Sequence, residues 1–179
     1  MGNPRGDWMQ TFSGGKFYPL SPRVSEVVPA DIAHALSLIC RFGGHSQSFY
    51  SVAEHSILLS RSVSPENALW ALLHDATEAY IGDMIRPLKY SMSEYRAAEL
   101  VLMRVICERF GLDPDFPLEV QEADNRILLD ERYQVMGPSR HKWPTAKGLE
   151  PLGIDIHLWS PNRAEILFTQ RLKELTHSS

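Results

Sequence analysis

Cysteine is nearly absent from this 179-residue sequence: Cys40 and Cys107 stand far apart and form no Cys-x-x-Cys pair. That argues against a disulfide-stapled fold, and two lone thiols inside apolar runs read as core residues of a reduced, cytoplasmic protein. No apolar run approaches the roughly 18 residues that span a bilayer, so no membrane partner is expected. Long Lys/Arg blocks are missing too, and with a formal charge of -4 no nucleic-acid polymer is expected as partner. A small anion needs only a few local cations and stays open as a substrate. The opening Met1-Gly2-Asn3-Pro4-Arg5-Gly6 has neither the apolar stretch of a signal peptide nor the Ser/Thr of a myristoylation signal. The His-Glu-x-x-His spacing of zinc proteases is absent. Hydrophobic residues make up 44% and charged ones 22%, ordinary for one globular domain.

What is present is helical punctuation. Residues 1–28, rich in Gly, Pro and Ser, read as an irregular arm packing Phe12, Phe17, Tyr18 and Leu20 onto a domain over 29–179, and Gly14-Gly15 admits a short hairpin. From Pro29, the spacing of Ile32, Ala35, Leu36 and Ile39 predicts a helix that Gly43-Gly44 stops. Ser51-x-x-Glu54 is a capping box opening a helix to about Ser62. Ser64-Pro65 opens another, with Leu69, Leu72, Leu73 and Ala76, that runs to just before Gly82. Ser93 caps a long helix with Leu100, Met103 and Cys107 on one side, ended by Gly111. The next carries Val120, Ala123, Ile127 and Leu128 and stops at Gly137. After an irregular stretch over 138–159, Ser160-Pro161 starts the last, with Ala164, Leu167, Phe168 and Leu175 inward. Trp8, Trp70, Trp143 and Trp159 read as packing anchors. The expected class is all-α.

Folding alone does not ask for His74-Asp75-Ala76-Thr77-Glu78-Ala79-Tyr80-Ile81-Gly82-Asp83. A helix otherwise made of Leu and Ala belongs in the interior, where unpaired charges cost several kcal/mol. One divalent cation compensates them; imidazole and carboxylate donors suit Mn, Co, Zn or Fe, and Mg less well. His74 and Asp75, about 100° apart around a helix, can converge on one ion. Two further ligands must come from elsewhere: His55, with His34 as rival, and Asp124 on an apolar stripe, with Asp130 as a rival expected in more exposed surroundings. Such a His-His-Asp-Asp set leaves positions for water and substrate. Glu78, four residues from His74, can orient the attacking water or exchange a proton; its plainer alternative is a surface ion pair. Asp83 can serve as general acid or simply form the turn. Arg41 is suited to clamp a phosphate, with Lys89 and His45 adding charge, while Arg86 reads equally as a surface residue.

In order and spacing, Arg41, Glu54-His55-Ser56, His74-Asp75-x-x-Glu78 and Gly82-Asp83, with Pro87 and Lys89 beyond, resemble the HD-domain phosphohydrolase superfamily, and within it the bacterial 5'-deoxynucleotidase branch. The similarity runs over roughly residues 32–131. It implies an HD-domain bundle of about six helices, commonly a homodimer or higher homo-oligomer, around one divalent metal held by His55, His74, Asp75 and Asp124. It also implies cleavage of the 5'-phosphate ester of a deoxynucleotide, monophosphates first, by water that the metal activates. Phage dATP triphosphohydrolases look like relatives, which makes release of triphosphate an alternative. A cyclic-nucleotide or alarmone phosphodiesterase and a non-catalytic metal-binding module are the others. One position departs from the branch: the aromatic after the Arg, usually Trp and in contact with the nucleoside, is Phe42 here.

Overall fold

In the computed structural model, which describes residues 5–141, 143 and 148–177, the chain is mostly helical, with one two-stranded hairpin among the described residues. The Met1–Pro4 part of the expected arm and positions 142 and 144–147 of the expected irregular stretch lie outside the described residues. The hairpin pairs β1 (Met9–Gln10) antiparallel with β2 (Lys16–Phe17), in the register Met9 to Phe17 and Gln10 to Lys16. Gly14, at φ +84°, supplies the left-handed turn that a Cβ would disfavour. Phe17 is fully buried and stacks on Tyr80 with ring centroids 3.8 Å apart. Trp8, Phe12 and Leu20 remain exposed, contrary to expectation. Successive strand residues face opposite ways, so a ribbon this short buries only one side.

The first helix, α1 (Pro29–Leu38), starts on its proline but ends well before Gly43-Gly44. The backbone instead turns extended: Val52 N donates to Ile39 O and Arg41 N to Tyr50 O, pinning both ends of the 41–50 loop. The capped helix α2 (Val52–Ser60) has all nine residues buried and packs against α1 and three later helices. Those are α3 (Ala68–Leu73), α7 (Leu118–Gln134) and α8 (Pro161–His177). Ser51 Oγ accepts from Glu54 N as the capping box requires, but the Glu54 carboxylate does not turn back; it accepts from the amides of His157, Leu158 and Trp159. A helix buried on every side, with its Glu54 and His55 matched by partners, lies at the centre.

The helix expected from Ser64-Pro65 to just before Gly82 is interrupted. Past α3 the backbone tightens to three-residue hydrogen bonds, Ala76 N to Leu73 O and Glu78 N to Asp75 O, before α4 (Glu78–Ile81). Gly82 at φ +78° ends it, and a single turn, α5 (Arg86–Lys89), follows. Then comes α6 (Ser93–Phe110), terminated by left-handed Gly111. On α6, Leu102, Ile106 and Cys107 face inward, whereas Leu100 is exposed. Ile32, Leu36, Ile57, Leu72, Leu73, Leu102, Ile106 and Phe168 form the main core, and Leu59, Trp70, Val120 and Ile127 a second cluster against α7. Each such side chain contributes about 1.5–3 kcal/mol on burial. Both thiols are free. Among the described residues, no helix is long and apolar enough to cross a membrane.

Candidate metal centre

Three segments deliver the polar cluster. His55 comes from the middle of α2, His74 and Asp75 from the tightened turn after α3, and Asp124 from α7. The His55 Nε2 and His74 Nε2 atoms are 3.2 Å apart. Asp75 Oδ2 lies 3.1 Å from His74 Nε2 and 3.7 Å from His55 Nε2; Asp124 Oδ1 lies 3.4 and 3.8 Å from His55 and His74 Nε2, respectively. His55, His74 and Asp124 form a possible metal-binding group, their ligand atoms all within 4.8 Å of one another.

Second contacts decide which imidazole nitrogen faces the cluster. His74 Nδ1 is 2.7 Å from the Ala71 carbonyl and His55 Nδ1 is 2.8 Å from Glu131 Oε1. Carbonyl and ionised carboxylate oxygens only accept, so both Nδ1 atoms carry hydrogen and both Nε2 atoms turn toward the centre. Two imidazole nitrogens and two carboxylate oxygens then crowd together, an arrangement that a bound cation or a proton on His55 stabilises. A dication about 2.0–2.2 Å from each donor sets neighbouring donors roughly 3.0–3.5 Å apart, close to the separations found. The donor set suits a metal ion.

Electrostatics agree with that arrangement. Burial, the largest influence, and Arg41 both oppose a charged His55, yet Glu131 and Asp124 outweigh them and push it up to about 9. Burial works against the ionised Asp75 and Asp124 as well, but the imidazoles beside them hold both below the ordinary range. Glu78 behaves oppositely: burial, then the charges of Asp75 and Asp83, raise it well above 4.5. Its Oε2 is buried without a hydrogen-bond partner. Burial raises Asp83 too, with Arg41 opposing.

Arg41 is drawn inward, its NH1 3.4 Å from Asp75 Oδ2 and its NH2 3.2 Å from Glu131 Oε2. Phe42 sits at φ 57°, ψ 28°, a left-handed conformation costing a bulky residue roughly 1–2 kcal/mol. Its ring tilts against Trp143 at 5.7 Å, so that tryptophan borders the Arg41 loop instead of serving only as a packing anchor. Lys89 pairs with Glu99 at 2.5 Å, though its charge is felt by Glu78 and Asp83. His45 is exposed, and among the described residues no hydrogen bond or ion pair joins it to the centre.

The rivals are placed elsewhere. His34 pairs with Glu165 at 3.1 Å and stacks on Phe12. Asp130 is more buried than Asp124, contrary to expectation, because it accepts from the amides of Leu152, Gly153 and Ile154. Sequence reasoning misses Glu131; its signal is a charged residue seven positions after Asp124, two helical turns along the same face. Arg86, equally a surface residue by its sequence, brings its NH2 to 3.3 Å from Asp124 Oδ2.

No family model matches the chain. It is 38% identical to YfdR of Escherichia coli strain K12, over 94% of this chain and 96% of that protein. The chain belongs to the YfdR family. A second relative, from Rhodobacter capsulatus, is 31% identical over 96% of each chain; like YfdR, it is described only as an uncharacterized protein.

Proposed function

We propose that this member of the YfdR family is a metal-dependent phosphohydrolase of the HD-domain type, cleaving the 5'-phosphate ester of deoxynucleotides. The observation carrying the reading is the convergence of His55, His74, Asp75 and Asp124, with Arg41 and Glu78 beside them. Bound there, a dication supplies Lewis acidity, which activates water and neutralises phosphoryl charge. Arg41, anchored by Glu131 and Asp75, is placed to bind phosphoryl oxygens that gain charge as the bond breaks. Glu78 and Asp83 divide the proton work. Glu78, a buried carboxyl whose Oε2 has no hydrogen-bond partner, orients the attacking water and exchanges its proton. Asp83, which burial raises toward its protonated form, donates to the leaving 5'-oxygen.

Monophosphates are the leading substrate class. Arg86 beside Asp124, and Lys89 nearby, favour a second reading in which a triphosphate is released whole, since they add cationic groups around one small centre. A panel of deoxynucleoside mono- and triphosphates with Mn, Co, Zn and Mg separates the two, run beside Asp75→Ala. Turnover with a transition metal, lost in the variant, is expected. If no nucleotide turns over with any metal, the enzyme reading fails; full activity in Asp75→Ala removes the site.

A further inference from the structure

Glu131 is the most buried acid around the centre, with no exposed surface, and no proton step of the proposed reaction passes through it. An ionised carboxylate in that position is tolerated only when every oxygen is matched. Oε1 accepts from His55 Nδ1 at 2.8 Å and from the Tyr50 hydroxyl at 3.0 Å; Oε2 accepts from Arg41 NH2 at 3.2 Å. Arg41 Nε adds an ion-pair contact of 3.0 Å to Oε1. One carboxylate thus holds the imidazole that faces the metal donors and the guanidinium that faces the substrate anion.

We propose that Glu131 is a positioning residue that couples cation binding to phosphate binding, by fixing His55 and Arg41 on a single rigid anchor. The inference rests on the phosphohydrolase reading for the identity of the anion. His74 is an internal contrast, because its Nδ1 is held by the Ala71 carbonyl and is independent of Glu131. Neutralising Glu131 frees the His55 ring to rotate or change tautomer and releases one of the two acids that steer Arg41. Both subsites then loosen together, without removal of any atom that would touch metal or substrate.

The test compares the wild-type chain with Glu131→Gln and Asp130→Asn by calorimetric titration with cobalt(II), and with inorganic phosphate at saturating cobalt. Asp130 is the adjoining buried acid, bound among the described residues to the amides of Leu152, Gly153 and Ile154, so its variant reports simple loss of stability. Glu131→Gln is expected to weaken cobalt binding about 10–100-fold. It should also weaken phosphate binding and raise KM more than it lowers kcat. Asp130→Asn should lower the melting temperature and leave both affinities within about threefold of wild type. Should Glu131→Gln fail to fold, Glu131→Asp keeps the charge, retracts the carboxylate by one methylene, and is expected to show the same paired weakening.

A folded Glu131 variant with wild-type cobalt affinity overturns the proposal, as does one that loses cobalt affinity yet binds phosphate normally once saturated. A wild-type chain that binds neither probe overturns it as well. Absence of nucleotide turnover, with the paired weakening intact, removes the phosphohydrolase reading and leaves the coupling standing.

Discussion

Two pairs of neighbouring residues, Glu54-His55 on α2 and Asp130-Glu131 on α7, divide their labour in the same way. The first member of each pair fastens the 150–159 segment, Asp130 through the amides of residues 152–154 and Glu54 through those of 157–159. The second member turns to the candidate metal centre, His55 facing it directly and Glu131 standing behind. All four are buried, so burial alone does not separate scaffold from site. The partners do. A carboxylate that accepts from three consecutive backbone amides is committed to the scaffold, whereas His55 and Glu131 are matched by other titratable side chains whose charge a metal or substrate can alter.

That contrast breaks most visibly at the ligands. Asp75→Ala is expected to reduce nucleotide turnover by at least about 100-fold and to abolish cobalt binding in calorimetry, with helical circular dichroism retained. Next in size is Glu54→Ala, which leaves three amides unmatched and should cost about 3 kcal/mol in urea unfolding. Its cobalt affinity should stay near wild type; a loss matching that of Asp75→Ala would erase the distinction between the paired residues.

Acidification sharpens the comparison further. Arg41 and His55 overcome burial to hold Glu131 below its ordinary 4.5, so Glu131 stabilises the fold above that value and the stabilisation is lost as pH falls through its depressed folded value. Glu54 has the opposite sign. Burial outweighs its amides and raises it, so its ionisation costs stability above the raised value, and the cost is relieved as pH falls through that value toward 4.5. Urea midpoints between pH 7 and 3 should therefore fall less steeply at the acid end in Glu131→Gln, while Glu54→Gln should lose the gain on mild acidification.

The smallest effect concerns Leu158, which the Glu54 clasp holds at φ +53°. Leu158→Gly relieves left-handed strain and should stabilise by about 0.5 kcal/mol, the remainder offset by glycine's greater freedom when unfolded. A measured loss of stability would mean that the Leu158 side chain contributes more by packing than its backbone loses.

Helix ends marked by local chemistry are legible in the amino-acid order: Ser51 caps α2, Gly111 closes α6 and Pro161 opens α8. The 41–50 loop and the break after Leu73 are not, because both depend on competition for backbone hydrogen bonds. Ile39 and Arg41 pair with Val52 and Tyr50 instead of extending α1, and the stretch from His74 to Thr77 tightens where the pattern of Leu and Ala continues a regular helix. At the centre, the residue types and their spacing single out His55, the His74-Asp75 doublet and Asp124. Glu131 and Arg86 do not stand out, since a single acid near the end of a charged helix and a base in a short turn are ordinary by residue type. His45 and Lys89 suit charge roles by residue type, yet among the described residues Lys89 pairs with Glu99 and no hydrogen bond or ion pair joins His45 to the centre.

The amino-acid order by itself determined the periodic apolar faces, some of the caps (Ser51 but neither Ser64 nor Ser93) and the presence of polar groups where an apolar helix should carry none, since these are properties of neighbours a few residues apart. Only the tertiary structure decided that Asp130 binds backbone and Asp124 faces imidazoles, or that Glu131 holds His55 and Arg41 at once. Which lone pair meets which proton depends on groups 76 and 90 residues away, brought within 3.2 Å only when the helices pack.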